Sequence, residues 1–151
     1  MTIETRTIRG TVDRLIEVCR DGEQGYKTAA GAINNDGLKK ELMLFSEQHG
    51  RLAADLSGAM ERIGFAPYAH GSISGALHRG WINLIKFVPG DHEHAILAAC
   101  EAGEGSAFEA YIKAMAAPLP DPLADLVSDQ YEVVKDAHER TRRLRDAALR
   151  N

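Results

Sequence analysis

Glu101 and Glu104 stand three residues apart in a helical pattern, so both carboxylates share one face. His49 falls on the apolar stripe of another helical segment, and Glu23 and His138 lie beside the stripes of two more. Carboxylates and an imidazole inside a helical bundle either hold cations or pair with one another, because burying them bare is costly. The cation chemistry is that of di-iron and di-manganese bundles, where hard carboxylates bridge two ions and each imidazole caps one. Such a centre takes a Glu from each of two helices and a Glu-x-x-His from each of the other two. Here the residue three before His138 is Lys135, and Glu47 precedes His49 by only two, which turns it to a different face. The complete two-metal set is absent from the sequence. Two readings of the polar layer remain. In one, His49 is a core histidine satisfied by Glu101 or Glu104. In the other, Glu101, Glu104 and His49, with Glu23 or His138, hold one ion of iron, manganese or zinc.

Other chemistries find no foothold. The chain has no G-x-S-x-G, no phosphate-binding glycine loop and no zincin motif. Cys19 and Cys100 form no C-x-x-C and fall on or beside the stripes, the pattern of free buried thiols in a reducing compartment. His92 and His94 are two apart at a helix start and so face apart. His70 and His78 have no acidic neighbour at a useful spacing.

The elements that must position these residues are four helices, each with apolar residues at alternating steps of three and four. The first stripe runs Ile8, Val12, Leu15, Cys19, Gly22, Tyr26, Ala29, Ile33, and the second Leu38, Leu42, Phe45, His49, Leu52, Leu56, Ala59, Ile63. The third runs Leu97, Glu101, Glu104, Phe108, Tyr111, Met115, and the fourth Leu123, Val127, Gln130, Val134, Ala137, Thr141, Leu144, Ala148. Punctuation places the helices at about 5–33, 36–63, 91–116 and 121–149. Asn35 or Asp36 caps the second, Asp91 the third, and Asp121 before Pro122 the fourth. Short links make the first two helices antiparallel, and likewise the last two. The longer stretch between them carries its own helical pattern, 72–88, with Ile73, Leu77, Trp81, Leu84 and Ile85 on one face. This predicts an all-α, ferritin-like four-helix bundle, one domain over 1–151, with a long crossover carrying a short extra helix. A five-helix up-down array is the competing topology. Gly22 and Gly103, on or next to the seam, are expected to allow close packing against Tyr26, Trp81 or Phe108, with a ligand-sized gap as the alternative.

Size and composition agree with a single soluble domain: 151 residues, 44% hydrophobic and 26% charged. A net charge of −4 argues against nucleic acid. Arg140, Arg142, Arg143, Arg145 and Arg150, interleaved with Glu139 and Asp146, are expected to complement a helix dipole. No uninterrupted apolar stretch is long enough for a membrane span, and the polar segment 1–9 lacks a secretory apolar core. A cytoplasmic location is expected. The apolar face around Trp81 should cover its own bundle or, in a homodimer, the same face of a second copy.

The blocks Asp-Gly-Glu-Gln-Gly-Tyr at 21–26, Gly-Ala-Leu-His-Arg-Gly-Trp at 75–81, Cys-Glu-Ala-Gly-Glu at 100–104 and the stretch from Gln130 to His138 carry a resemblance. The chain resembles a bacterial family of ferritin-like four-helix-bundle proteins of unknown function, from about Leu15 to Arg145. The resemblance implies the ferritin-like topology, crossover included, and no reaction. Ferritins and bacterioferritins carry a Glu seven residues before the first-helix Tyr; here that place is Cys19.

Overall fold

A computed structural model describes residues 2–66 and 93–149. They form four helices: α1 (Ile3–Ala32), α2 (Asp36–Arg62), α3 (Glu93–Met115) and α4 (Asp121–Leu149). The boundaries follow local chemistry. Thr2 caps α1, its hydroxyl accepting from the Thr5 amide at 3.1 Å, and Asn35 caps α2 by accepting from the Leu38 amide at 3.0 Å. The α4 cap differs from expectation by one residue. The Ala124 amide donates to the Pro120 carbonyl at 2.8 Å, so Asp121 already lies inside the first turn, where its charge favours the dipole. The expected Asp91 cap and the expected crossover helix 72–88 with Trp81 lie outside the described residues.

Long-range hydrogen bonds set the helix directions. Cys19 meets Tyr111 and Tyr26 meets Glu104, so α1 and α3 run antiparallel. His49 meets Glu104, while Gln130 joins Tyr111 to Leu52, so α2 and α3 run parallel. Leu52 with Gln130, and Glu41 with Arg140, make α2 and α4 antiparallel. α1 packs on α2 and α3, and α4 packs on α3 and α2. The parallel helices α2 and α3 therefore face each other across the bundle diagonal, and α3 begins at the end where α2 began. Among the described residues there is no strand, and the architecture is a four-helix bundle.

The interior divides into two apolar halves. One holds Val12, Leu15, Leu56, Leu123 and Val127, and the other Ala29, Ile33, Leu42, Ile96 and Leu97. Between them lies the polar layer.

The third stripe needs correction. The buried line of α3 runs through Leu97, Cys100, Glu104, Ala107, Tyr111 and Ala114, whereas Met115 is exposed and Glu101 and Phe108 are half-buried. α3 is rich in alanine and apolar on nearly every side, so its periodicity is shallow and admits a neighbouring register. Ile63, the expected end of the second stripe, is exposed past the end of α2. The arginines near the carboxyl end also act differently. The last turn of α4 has no basic residue; Arg140 instead reaches Glu41 on α2, and Arg145 reaches Glu101 on α3 and Asp146 beside it.

Candidate functional site: a buried hydrogen-bonded layer

α1 contributes Tyr26, α2 His49 and α3 Glu104, all at most 1% exposed. The Tyr26 hydroxyl donates to Glu104 Oε1 at 2.6 Å, and His49 Nε2 lies 2.9 Å from Glu104 Oε2. His49 Nδ1 sits 2.8 Å from the Phe45 carbonyl oxygen, which can only accept. Nδ1 therefore carries a proton in either charge state. With Nδ1 protonated, the Nε2–Oε2 bond must hold a second proton, written as an imidazolium–carboxylate pair or as a neutral imidazole and carboxylic acid. Either way the pair carries no net charge into the core, which is what makes its burial affordable. The Tyr26 ring packs against His49 at 5.2 Å and Phe45 at 5.3 Å, fixing the imidazole plane.

Burial alone would lower the His49 pKa. The charge and hydrogen bond of Glu104, the Phe45 carbonyl and the Glu23 charge together outweigh it and raise the pKa above the ordinary 6.5. Burial, then the Glu104 charge, pushes the Tyr26 phenol well above its usual range, so Tyr26 remains a donor.

Close approach of α1 and α2 makes room for this layer. A Cβ on Gly22 would lie 2.7 Å from His49 Cδ2, so Gly22 is the recess that holds the imidazole. This is close packing of the expected kind against a different partner, His49 rather than Tyr26 or Phe108. Gly50 reciprocates from α2, its bare backbone facing the Glu23 carboxylate, while Ser46 donates to the Glu23 carbonyl at 2.7 Å.

Two turns away along α1 and α3 lies a second network that sequence reading did not assemble. The Tyr111 hydroxyl donates to Gln130 Oε1 at 2.6 Å and lies 3.1 Å from Cys19 Sγ; Gln130 Nε2 donates to the Leu52 carbonyl at 3.1 Å. With the Tyr111 proton committed to Gln130, the Cys19 thiol is the donor to Tyr111. Burial is the main cause that pushes the Cys19 pKa up to about 12, and burial followed by the Glu104 charge raises that of Cys100. Both thiols are free, protonated and unreactive at neutral pH.

The remaining candidates are not gathered at this layer. Glu101 turns outward to Arg145. His138 stacks on Phe108 at 5.4 Å on the outer side of α3 and α4. Glu23 is partly exposed and bridged to Arg20 at 3.0 Å. Among the described residues no three His, Cys, Asp or Glu side chains converge as a metal-holding group. A two-metal centre does not fit this donor set: Glu104 bonds Tyr26 through one oxygen and His49 through the other, and among the described residues no second bridging carboxylate joins it.

Asp21, on α1, also escaped the sequence reading. It is 4% exposed, and its Oδ2 has no hydrogen-bond partner among the described residues. Burial, reinforced by the Glu17 charge and opposed by Arg14, pushes its pKa from 3.8 to about 7. An unfolded Asp21 ionises near 3.8 while the folded one keeps its proton to about 7. Stability therefore falls as pH rises through that window and levels off above it. Asp21→Asn should remove this slope. The variant should match the parent near pH 4 and exceed it at pH 8 by on the order of 1–3 kcal/mol, the usual cost of an unsatisfied buried polar group. Urea denaturation across that range tests this; parallel pH profiles for the two proteins would refute it.

The model of a family described as a domain of unknown function (DUF2383) matches residues 9–117. No curated protein matches the sequence.

Proposed function

The chain belongs to the DUF2383 family, and from that premise we propose that it is a ferritin-like bundle whose mid-bundle position is filled by protein hydrogen bonds, and that it acts through binding or assembly rather than turnover. The observation that carries this reading is the closure of the Tyr26–Glu104–His49 set: each polar group of these three side chains already has a protein partner. A carboxylate bonded by a phenol and an imidazole fixes the relative register of α1, α2 and α3, the best-attested use of buried polar groups in helical assemblies. The helix neighbours and the parallel diagonal pair α2/α3 support the ferritin-like assignment.

A single-ion site is the second reading. What favours it is that His49 Nε2 and Glu104 Oε2 are a ready nitrogen–oxygen ligand pair, 2.9 Å apart in the core. Metal occupation would require them to give up their mutual bond. Anaerobic Fe(II) titration of the purified protein, followed by oxygen, distinguishes the two. The proposed function expects no saturable uptake and no fast oxidation phase. One tightly held ion per chain, lost in Glu104→Gln, would establish the second reading; rapid oxidation of two irons per chain would overturn both.

A further inference from the structure

On the outer side of α1 and α3, away from the buried layer, an open pocket of about 320 Å³ is lined by Thr11, Arg14, Ser106, Glu109 and Lys113, with Gly10 at its edge. Two cations and two hydroxyls share this concavity with one carboxylate. On α1, the residue one turn before Arg14 is Gly10, where a Cβ would meet nothing within 4 Å. The glycine leaves the pocket open at that edge, while Glu17 and Asp21 follow Arg14 one and two turns on, close enough for its charge to act on Asp21 without an ion pair. On α3, Glu109 stands one turn before Lys113, the spacing of a helical ion pair. Neither Arg14, Glu109 nor Lys113 is ion-paired among the described residues, whereas Arg9, Arg20, Arg140 and Arg145 all are. Two cationic side chains flanked by hydroxyl donors form the donor set that recognises phosphate or carboxylate oxygens, with arginine supplying the planar fork and lysine the point charge. The carboxylate in the wall narrows the class, since it repels a bare anion and rewards a ligand that also carries an N–H or O–H donor.

We propose that this pocket is a binding site for a small phosphate-bearing metabolite that also carries an ammonium or hydroxyl group, its phosphate held by Arg14, Lys113, Thr11 and Ser106 and its donor by Glu109. The volume suits a ligand of a few to a dozen heavy atoms, at the small end of ordinary ligand sites. The site is independent of the buried layer, so its failure would leave the reading of that layer standing.

Calorimetric titration with phosphoethanolamine and with inorganic phosphate, at constant ionic strength set with chloride, tests the proposal. Phosphoethanolamine should bind saturably and more tightly than phosphate. Arg14→Gln with Lys113→Gln should weaken both by at least about tenfold, the effect of losing one or more charge-assisted contacts. Glu109→Gln should tighten phosphate and remove the preference for phosphoethanolamine. All three positions line an open pocket, and unchanged circular dichroism at the titration temperature separates loss of binding from loss of fold. No saturation by either probe up to about 10 mM, or saturation that the Arg14/Lys113 double variant leaves intact, would overturn the proposal. A Glu109→Gln variant that leaves the order of the two probes unchanged would overturn the assigned ligand class.

Discussion

Glu104→Ala is expected to destabilise the protein by about 3–5 kcal/mol at neutral pH, the usual result of removing one partner from a buried hydrogen-bonded pair. The cost has two parts in this structure. His49 Nε2 loses the Glu104 carboxylate, its side-chain partner among the described residues, and the fully buried Tyr26 hydroxyl loses its bond to Glu104. For a chain of this size the melting temperature should fall by roughly 6–20 °C. Glu104→Gln is the informative control. A neutral His49 protonated at Nδ1 presents Nε2 as an acceptor, which the glutamine N–H₂ can serve while its oxygen still accepts from Tyr26. The glutamine variant should therefore recover most of the lost stability. It should also lose a pH dependence. Because the folded His49 pKa is raised, its stabilising contribution is complete below the ordinary value of 6.5 and fades as pH rises through the folded value. That alkaline fading should be present in the parent and absent in Glu104→Gln. An alanine variant within about 1 kcal/mol of the parent would mean that the layer contributes no register-fixing energy.

Gly22→Ala and Gly50→Ala are expected to differ in sign although both sit in the α1–α2 contact. Either change should gain roughly 1 kcal/mol of helix propensity. At Gly22 the new methyl would press on the His49 ring, 2.7 Å from Cδ2 and 3.2 Å from Cγ. That ring is held at both nitrogens and is fully buried, so it has nowhere to move. Overpacking of this kind costs about 1–3 kcal/mol and should exceed the propensity gain. At Gly50 the obstacle is the carboxylate end of Glu23, a flexible side chain that is 29% exposed and can swing away with its Arg20 partner. Thermal melts should show Gly22→Ala below the parent and Gly50→Ala at or above it. Equal losses in the two variants would show that the backbones, not the imidazole, set the spacing.

Much of this arrangement was readable from residue types and spacing. The limits of α1 and α2 to within two residues, the Asn35 cap and the seam positions of Cys19, Tyr26, His49, Glu104 and Gln130 follow from period and punctuation, which are local properties. Of the two carboxylates expected to reach His49, Glu104 is the one that does. Its companion, Glu101, was misplaced because alanines on every side of α3 blur the stripe, and because its true partner, Arg145, lies 44 residues away on another helix. Tyr111 and Cys19, 92 residues apart, share a stripe position but no sequence pattern announces their bond. Asp21 and Glu17 did leave a signal. The run Leu15-Ile16-Glu17-Val18-Cys19 is apolar around more than one helical face, so Glu17 within it is covered, as is Asp21 one turn after Glu17, and both are buried.

The bundle consists of two hairpins, α1–α2 and α3–α4, whose members are neighbours in sequence. The bonds between hairpins span 55 residues for His49–Glu104, 78 for Tyr26–Glu104 and for Leu52–Gln130, and 92 for Cys19–Tyr111. Closing such long loops costs chain entropy before any contact rewards it. Each hairpin can therefore assemble early and separately, and the buried carboxylate acts as a latch that engages only when the two meet. A latch of this kind governs how slowly the folded molecule comes apart more than how fast it forms, so its strength should appear chiefly in the lifetime of the native state.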